Sequence, residues 1–176
     1  MSTETWRALG TAVTYAANKD MLSVFNGAAS TKVLRIYRMY AFNNQTGAVT
    51  GVLNFIQIWR QNTAPSGGTA VTPVAHSPSN TAMNAATTAG HNQTVTNEVM
   101  LRQMLNSPDE PAVSTLDMDS LWTLVPYAEI WNAGYGDTNI QPLTCPSGLA
   151  YGYGIKSVTQ TVGLNDFEIE FTNAAS

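Results

Sequence analysis

The sequence from residue 148 to residue 156 reads GLAYGYGIK. Large side chains alternate in it with glycine or alanine, which is the two-residue period of a β-strand. The large residues, expected to pack on a core, are Leu149, Tyr151, Tyr153 and Ile155. The bare face consists of Gly148, Ala150, Gly152 and Gly154. Because glycine in a strand allows a second surface to come close, this bare face is predicted to be an interface.

A second strand with the same period follows near the end of the sequence. Residues 166–171 read DFEIEF. Phe167, Ile169 and Phe171 share one face, and the acidic residues occupy the other. This alternation predicts a half-buried strand with an acidic outer face.

The earlier part of the chain is rich in β-branched and aromatic residues. Residues 32–42 and 49–61 flank the turn-forming sequence NNQTG, so they are predicted to form a long hairpin. The second arm is apolar on both faces, which is typical of a central strand. Further strands are predicted at residues 21–25, 69–74, 93–105, 121–131 and 156–162. So many short strands predict an all-β fold, a single-domain antiparallel β-sandwich that is jelly-roll-like and contains little helix.

Four segments depart from this strand pattern. Residues 97–106 suit a helix or a strand equally, and residues 114–122 suit a short helix. Residues 1–18 are weakly patterned and are predicted to be an N-terminal arm that orders against a neighbour, with the sandwich domain spanning 19–176. Residues 76–92 are small and polar, which favours a long exposed loop.

Charge is scarce in this protein. Only 11% of the 176 residues are charged, against an average of about 25%, and Thr and Asn fill the deficit. The net charge of −4 argues against binding to nucleic acid, which requires clustered Lys and Arg. Residues 1–102 carry a balance of +4 and residues 103–176 a balance of −8. Complementary patches of this kind favour contacts between subunits.

Export and membrane signals are not recognisable in the sequence. It has no apolar run of about 18 residues, and its first ten residues, MSTETWRALG, do not resemble a signal peptide. Cys145 is the single cysteine, so no internal disulfide can form. These features predict no membrane partner and assembly in a reducing cytoplasm.

The residues with reactive side chains do not match known catalytic patterns. His76 and His91 lie at the ends of the predicted loop without the spacing of a metal site, and Cys145 has no neighbouring base. Glu168 and Glu170 are about 7 Å apart on a strand, within the range for glycoside hydrolysis, but a solvated strand face produces the same spacing. Asp117 and Asp119 lack the glycine and glutamate of a calcium loop. We therefore expect no enzyme activity, no catalytic residue, no metal and no cofactor.

Aromatic residues offer an alternative function. A platform of exposed rings would stack on sugars, although a core or a subunit interface accounts for such residues more often. The candidates are Trp59, Trp122, Trp131, Tyr135, Tyr151 and Tyr153. The alternative is thus a carbohydrate-binding or receptor-binding β-sandwich module of a phage or of a secreted assembly.

Two longer stretches carry a family resemblance. They are KVLRIYRMYAFNNQTGAVTGVLNFIQIWRQNTAPSGGTAVTPVAH and GLAYGYGIKSVTQTVGLNDFEIEFTN. With the Thr/Ala/Asn-rich segment between them, residues 30–172 resemble small virion structural proteins of tailed bacteriophages, in particular capsid decoration or cement subunits. The resemblance lies in the succession of strands and turns, and it brings no catalytic or binding motif.

The resemblance implies a sandwich fold, a location in the virion after assembly in the host cytoplasm, and binding to the major capsid protein. It also implies a homo-oligomer, with a trimer expected. Beside the bare face of residues 148–154, contacts with a neighbour are expected from the N-terminal arm and from the polar loop. Their candidate interface residues are Trp6, His76 and His91.

Overall fold

Two antiparallel β-sheets pack face to face in this protein. The computed structural model describes residues 4–44, 54–106, 127–134, 141–158 and 164–175. Every strand pairing among them is antiparallel, and none of these residues is in a helix. The prediction of an all-β sandwich is therefore confirmed. None of the described segments forms a helix that would cross a bilayer.

The first sheet is built around the last strand of the described chain. In spatial order its strands are β10 (Leu143–Cys145), β3 (Lys32–Asn44), β12 (Leu164–Ala175), β1 (Thr5–Thr14) and β6 (Val74–Ala75). A further strand, β9 (Tyr127–Asn132), pairs with β3 beside β10. Since β12 has β3 on one side and β1 on the other, the sheet joins distant parts of the sequence.

The second sheet has six strands in one row. Their spatial order is β5 (Thr69–Val71), β7 (Thr87–His91), β2 (Asp20–Asn26), β11 (Tyr151–Ser157), β4 (Asn54–Gln61) and β8 (Glu98–Asn106). From β1 to β4 the chain changes sheet at every strand, as chains do when they wind around a sandwich.

The core lies between the sheets and has the alternation that the sequence predicted. In β12, Phe167, Ile169 and Phe171 are fully buried, whereas Glu168 and Glu170 on the opposite face are half-buried. In β11, Tyr153 and Ile155 point into the same core. Each fully buried side chain of this size contributes about 1.5–3 kcal/mol relative to exposure, so the interior faces stabilise the sandwich.

Residues 5–14 are not an arm. They form β1, which is hydrogen-bonded to β12 from the Thr5–Thr172 pair to the Thr14–Leu164 pair. The strand has a bulge between Gly10 and Val13, within which Ala12 has a φ of 52° and donates its backbone N–H to Asp166 at 2.6 Å. The prediction was wrong because small residues separate the apolar ones in TWRALGTAVT, so the strand period is weak.

Three other predictions need correction or completion. Residues 98–106, left between helix and strand, form the strand β8. The predicted hairpin is wrong, because β3 and β4 lie in different sheets and do not pair. The segment 76–92 is exposed only in part, since its last residues form β7 with Thr87 and Ala89 buried. The short helix predicted at residues 114–122 lies outside the described residues.

Candidate binding site

The bare face of residues 148–154 is covered by the chain itself. A Cβ on Gly154 would lie 2.6 Å from the carboxyl group of Asp20, and one on Gly152 would lie 2.3 Å from Oε1 of Gln61. These glycines do permit a close approach, but the approaching groups belong to neighbouring strands of the same sheet. Gly152 and Gly154 are thus not interface residues. Gly148 is exposed and Ala150 half-buried, at the beginning of β11.

The other predicted interface residues are scattered over the molecule. Trp6 is buried in the core, which excludes it from a surface contact in the folded chain. His76 is exposed beside β6, where its Nε2 is 3.8 Å from a carboxylate oxygen of Glu170. His91 is half-buried at the end of β7 in the other sheet. The structure does not bring these residues together.

A cluster of buried polar groups lies on the outer face of the second sheet. We call it the polar cluster and define it as Asp20, Gln61, Glu98 and Lys156. Gln61 donates from Nε2 to Oδ2 of Asp20 at 2.7 Å, and both residues are fully buried. Lys156 forms an ion pair with Oε1 of Glu98 and is also almost fully buried. The four residues come from β2, β4, β8 and β11, so only the folded sheet assembles them.

Burial determines the ionisation of this cluster. Loss of solvation raises the pKa of Asp20 from 3.8 to about 7. The charge of Lys156 opposes the rise, while that of Glu98 adds to it. Asp20 is therefore a carboxyl that is largely protonated at mildly acidic pH. Because Asp20 has no exposed surface, it does not contact a substrate, and its ionisation affects the stability of the fold.

Residues 92–97, which we call the covering segment, connect β7 to β8 and pass beside the cluster. The backbone N–H groups of Asp20 and Gln93 donate to each other's carbonyl oxygens at 2.9 and 3.3 Å. Ser23 donates from its hydroxyl to Oε1 of Gln93 at 2.7 Å. Thr94 is held from the other side by a pair of 2.9 Å backbone bonds with Ser66. Thr94 and Val95 of the covering segment form one wall of a cavity.

The cavity opens beside the Lys156–Glu98 ion pair and has a volume of about 350 Å³. Lys156 Nζ lies 5.0 Å from the ring centroid of Trp59, within the range of a cation–π interaction. Both sheet and covering segment contribute to the lining, which includes Asn18, Gln57, Trp59, Thr94, Glu98 and Lys156. The cavity thus combines an aromatic ring, a neutralised pair of charges and uncharged polar groups.

The carboxylates Glu168 and Glu170 belong to a different face. Glu170 is 4.0 Å from a guanidinium nitrogen of Arg38, in the next strand, and it also faces His76. Partial burial raises the pKa of Glu168, and the positive charge of Arg7 opposes the rise. The acidic outer face predicted for β12 is confirmed. Positive charges on the neighbouring strands lie close to its two carboxylates.

The remaining sequence candidates are placed as follows. Cys145 is fully buried, and burial raises the pKa of its thiol to about 12. Trp131 is half-buried on β9, whereas Trp122 and Tyr135 lie outside the described residues. No group of three metal-binding side chains occurs within the described ranges.

The polar cluster was missed by sequence reasoning, although a signal existed. Asp20 begins the otherwise apolar strand sequence DMLSVF, and Lys156 follows the alternating sequence YGYGI. A charged residue at such a place is expected to have a partner, because an isolated buried charge is very costly. The identity of the partners depends on strand order, which the pattern does not give.

Comparison with known proteins assigns no relative to this chain. No protein-family model, no curated protein and no solved structure matches it.

Proposed function

We propose that this chain is a structural subunit of a bacteriophage virion, a capsid decoration or cement protein that binds the major capsid lattice and stabilises the shell. The observation that carries the proposal is the exposed strand β8. Three consecutive apolar residues of this strand, Val99, Met100 and Leu101, are 44%, 46% and 43% exposed. An exposed apolar strand at a sheet edge favours association with another chain.

The geometry of β8 supports adhesion through its edge. Its backbone pairs with β4 on one side, and no other described strand pairs with its second side. Because successive side chains of a strand point to opposite faces, Val99, Met100 and Leu101 present apolar groups on both faces of β8, next to a shift of register opposite Ile58 and Trp59. A partner strand added there would satisfy the backbone groups and cover the side chains in one step.

The weakly charged composition suits the same role. A subunit that binds in many copies gains affinity by avidity rather than by strong individual contacts. Few surface charges also make that binding insensitive to salt, which suits a particle that meets varied media. On this proposal the chain assembles in the host cytoplasm, and its partners are the major capsid protein and further copies of itself, as a trimer.

The test is addition of the purified chain to undecorated capsids, followed by electron microscopy. We expect stoichiometric addition, and we expect the double variant Met100→Lys/Leu101→Lys to lose it at least tenfold, because two buried ammonium groups would oppose strand pairing. The control is Val74→Lys, which adds a lysine at another exposed apolar residue, 59% exposed, on β6 of the other sheet. Full binding by the β8 variant, or failure of the unmodified chain to add, would contradict the proposal.

A further inference from the structure

We propose that the cavity beside Trp59 binds a single ring of a neutral saccharide. This inference is independent of the capsid proposal. The cavity lies on the outer face of the second sheet, whereas the capsid proposal uses the edge of β8 that no described strand pairs with. The volume of the cavity limits the size of its ligand. A volume of about 350 Å³ is at the small end of ligand pockets, which span roughly 300–1,000 Å³. It accommodates one ring and not an extended chain.

The aromatic group is fixed before any ligand arrives. The indole N–H of Trp59 donates to Oε1 of Gln57 at 2.9 Å, and Nε2 of Gln57 donates to Oε1 of Gln103 at 2.6 Å. This chain of hydrogen bonds across β4 and β8 holds the orientation of the ring. Lys156 Nζ lies 5.0 Å from the centroid of this ring, so the C–H face of a sugar is expected to pack on the part of the ring that lines the cavity. A rigid aromatic surface loses little conformational entropy on binding.

Charge selects the class of ligand. Lys156 and Glu98 neutralise each other, so the cavity has no net charge from this pair. A charged ligand would gain no net Coulomb attraction from this neutral pair, yet it would still lose solvation on entering the cavity. A neutral ligand with several hydroxyl groups avoids this cost.

Uncharged polar side chains complete the match. Asn18 and Thr94 line the cavity, and both residues are exposed. Each of them donates and accepts hydrogen bonds, as sugar hydroxyls do. The cavity therefore presents the two surfaces that a pyranose ring has, an apolar face and a polar rim.

The experiment uses saturation-transfer NMR and tryptophan fluorescence with methyl glycosides of glucose, galactose, mannose and N-acetylglucosamine. We expect at least one to bind with a Kd of about 1 mM, the weak affinity of a one-ring ligand. Methyl glucuronide, which carries a carboxylate, is expected to bind at least fivefold more weakly than the glucoside. If no glycoside saturates the protein by about 20 mM, or if the glucuronide binds more tightly, the inference is wrong.

Two variants locate the binding. Trp59→Ala removes the ring, and Thr94→Trp fills the cavity from the exposed covering segment while leaving Trp59 in place. Each is expected to weaken binding at least tenfold, whereas Trp131→Phe on β9 of the other sheet is the matched control and should bind as the unmodified chain does. Near-ultraviolet circular dichroism checks that Thr94→Trp is folded. Unchanged binding by folded Thr94→Trp would overturn the assignment to this cavity.

Discussion

Asp20 is a residue whose properties come from its neighbours and not from its position in the sequence. It is fully buried, and it accepts a hydrogen bond from Gln61 while lying close to the charges of Glu98 and Lys156. An acid with a raised pKa holds its proton more tightly in the folded chain than in the unfolded chain. Its effect on stability is therefore opposite to that of a carboxylate whose pKa is lowered in the folded chain, for example by a salt bridge.

Asp20 makes the folded chain less stable as the pH rises. With a pKa of about 7 when folded and 3.8 when unfolded, Asp20 makes its full stabilising contribution below pH 3.8 and loses it as pH rises to 7. Between pH 5 and pH 7 the free energy of unfolding is expected to fall by about 2–3 kcal/mol through this residue. Asp20→Asn, which keeps the size of the side chain and an acceptor for Gln61, is expected to remove this dependence.

Urea denaturation of the unmodified chain and of Asp20→Asn at pH 5, 6, 7 and 8 measures the effect. The difference between the two chains isolates Asp20 from other groups, such as Glu168, whose pKa is also raised by burial. A control variant, Asp166→Asn, changes an acid of β12 at the bulge and should leave the pH slope of the Asp20 contribution intact. Parallel curves for the unmodified chain and Asp20→Asn would contradict the prediction.

At the scale of elements, the sequence predicted strands well where large and small residues alternate strictly. β11 and β12 were recognised because their core faces consist of Tyr153, Ile155 and the phenylalanines of DFEIEF. β8 was ambiguous because VMLRQML satisfies both the helical and the strand period, and pairing with β4 decided the outcome. β1 was missed because small residues separate the apolar ones in TWRALGTAVT, which weakens the strand period.

Hydrogen exchange distinguishes a strand from an arm in β1. We expect the backbone amides of Trp6 and Ala8 in the isolated chain to be protected to a similar degree as those of Phe171 and Ile169, their partners in β12. Residues 67 and 68, two glycines in an exposed turn, are the fast-exchanging reference. Exchange of the β1 amides at the rate of this turn would show that the strand does not form without a neighbouring subunit.

The candidate site was less predictable than the fold. Trp59 was noted as an aromatic that could stack on a sugar, but its companions Glu98 and Lys156 are 58 residues apart in sequence. Their contact depends on the order β11–β4–β8 in the second sheet and on the covering segment, residues 92–97, which leads into β8. The periodicity of a sequence predicts which face of a strand a residue occupies. The composition of a site depends also on which strands are adjacent.

For the whole molecule, the pairing of β1 with β12 determines how the chain folds. Thr5 lies opposite Thr172, so the first sheet closes the longest loop that the described strands allow. Closing long loops before contacts form slows the folding of β proteins to milliseconds or seconds. A circular permutant tests this effect. A short Gly/Ser linker would join residue 175 to residue 4, and the chain would open between Gly67 and Gly68.

The permutant is expected to keep the fold and to refold severalfold faster, because β1 and β12 become neighbours in sequence. The opening lies in an exposed turn, where a Cβ on Gly67 would meet nothing within 4 Å. Stopped-flow refolding from urea gives the rates, and equilibrium unfolding shows that the fold is retained. A folded permutant that refolds more slowly than the parent chain would contradict the role assigned to this pairing.

The central position of β12 also has a consequence during protein synthesis. Ribosomes add about 5–20 residues per second, so β1 emerges roughly 10–30 s before its main partner. Until then its apolar face, with Trp6 and Ala8, has only the two-residue strand β6 beside it in the first sheet. A nascent chain that stalls before residue 164 leaves this sheet without its middle strand. We expect such a product to be bound by chaperones or degraded by proteases and not to assemble.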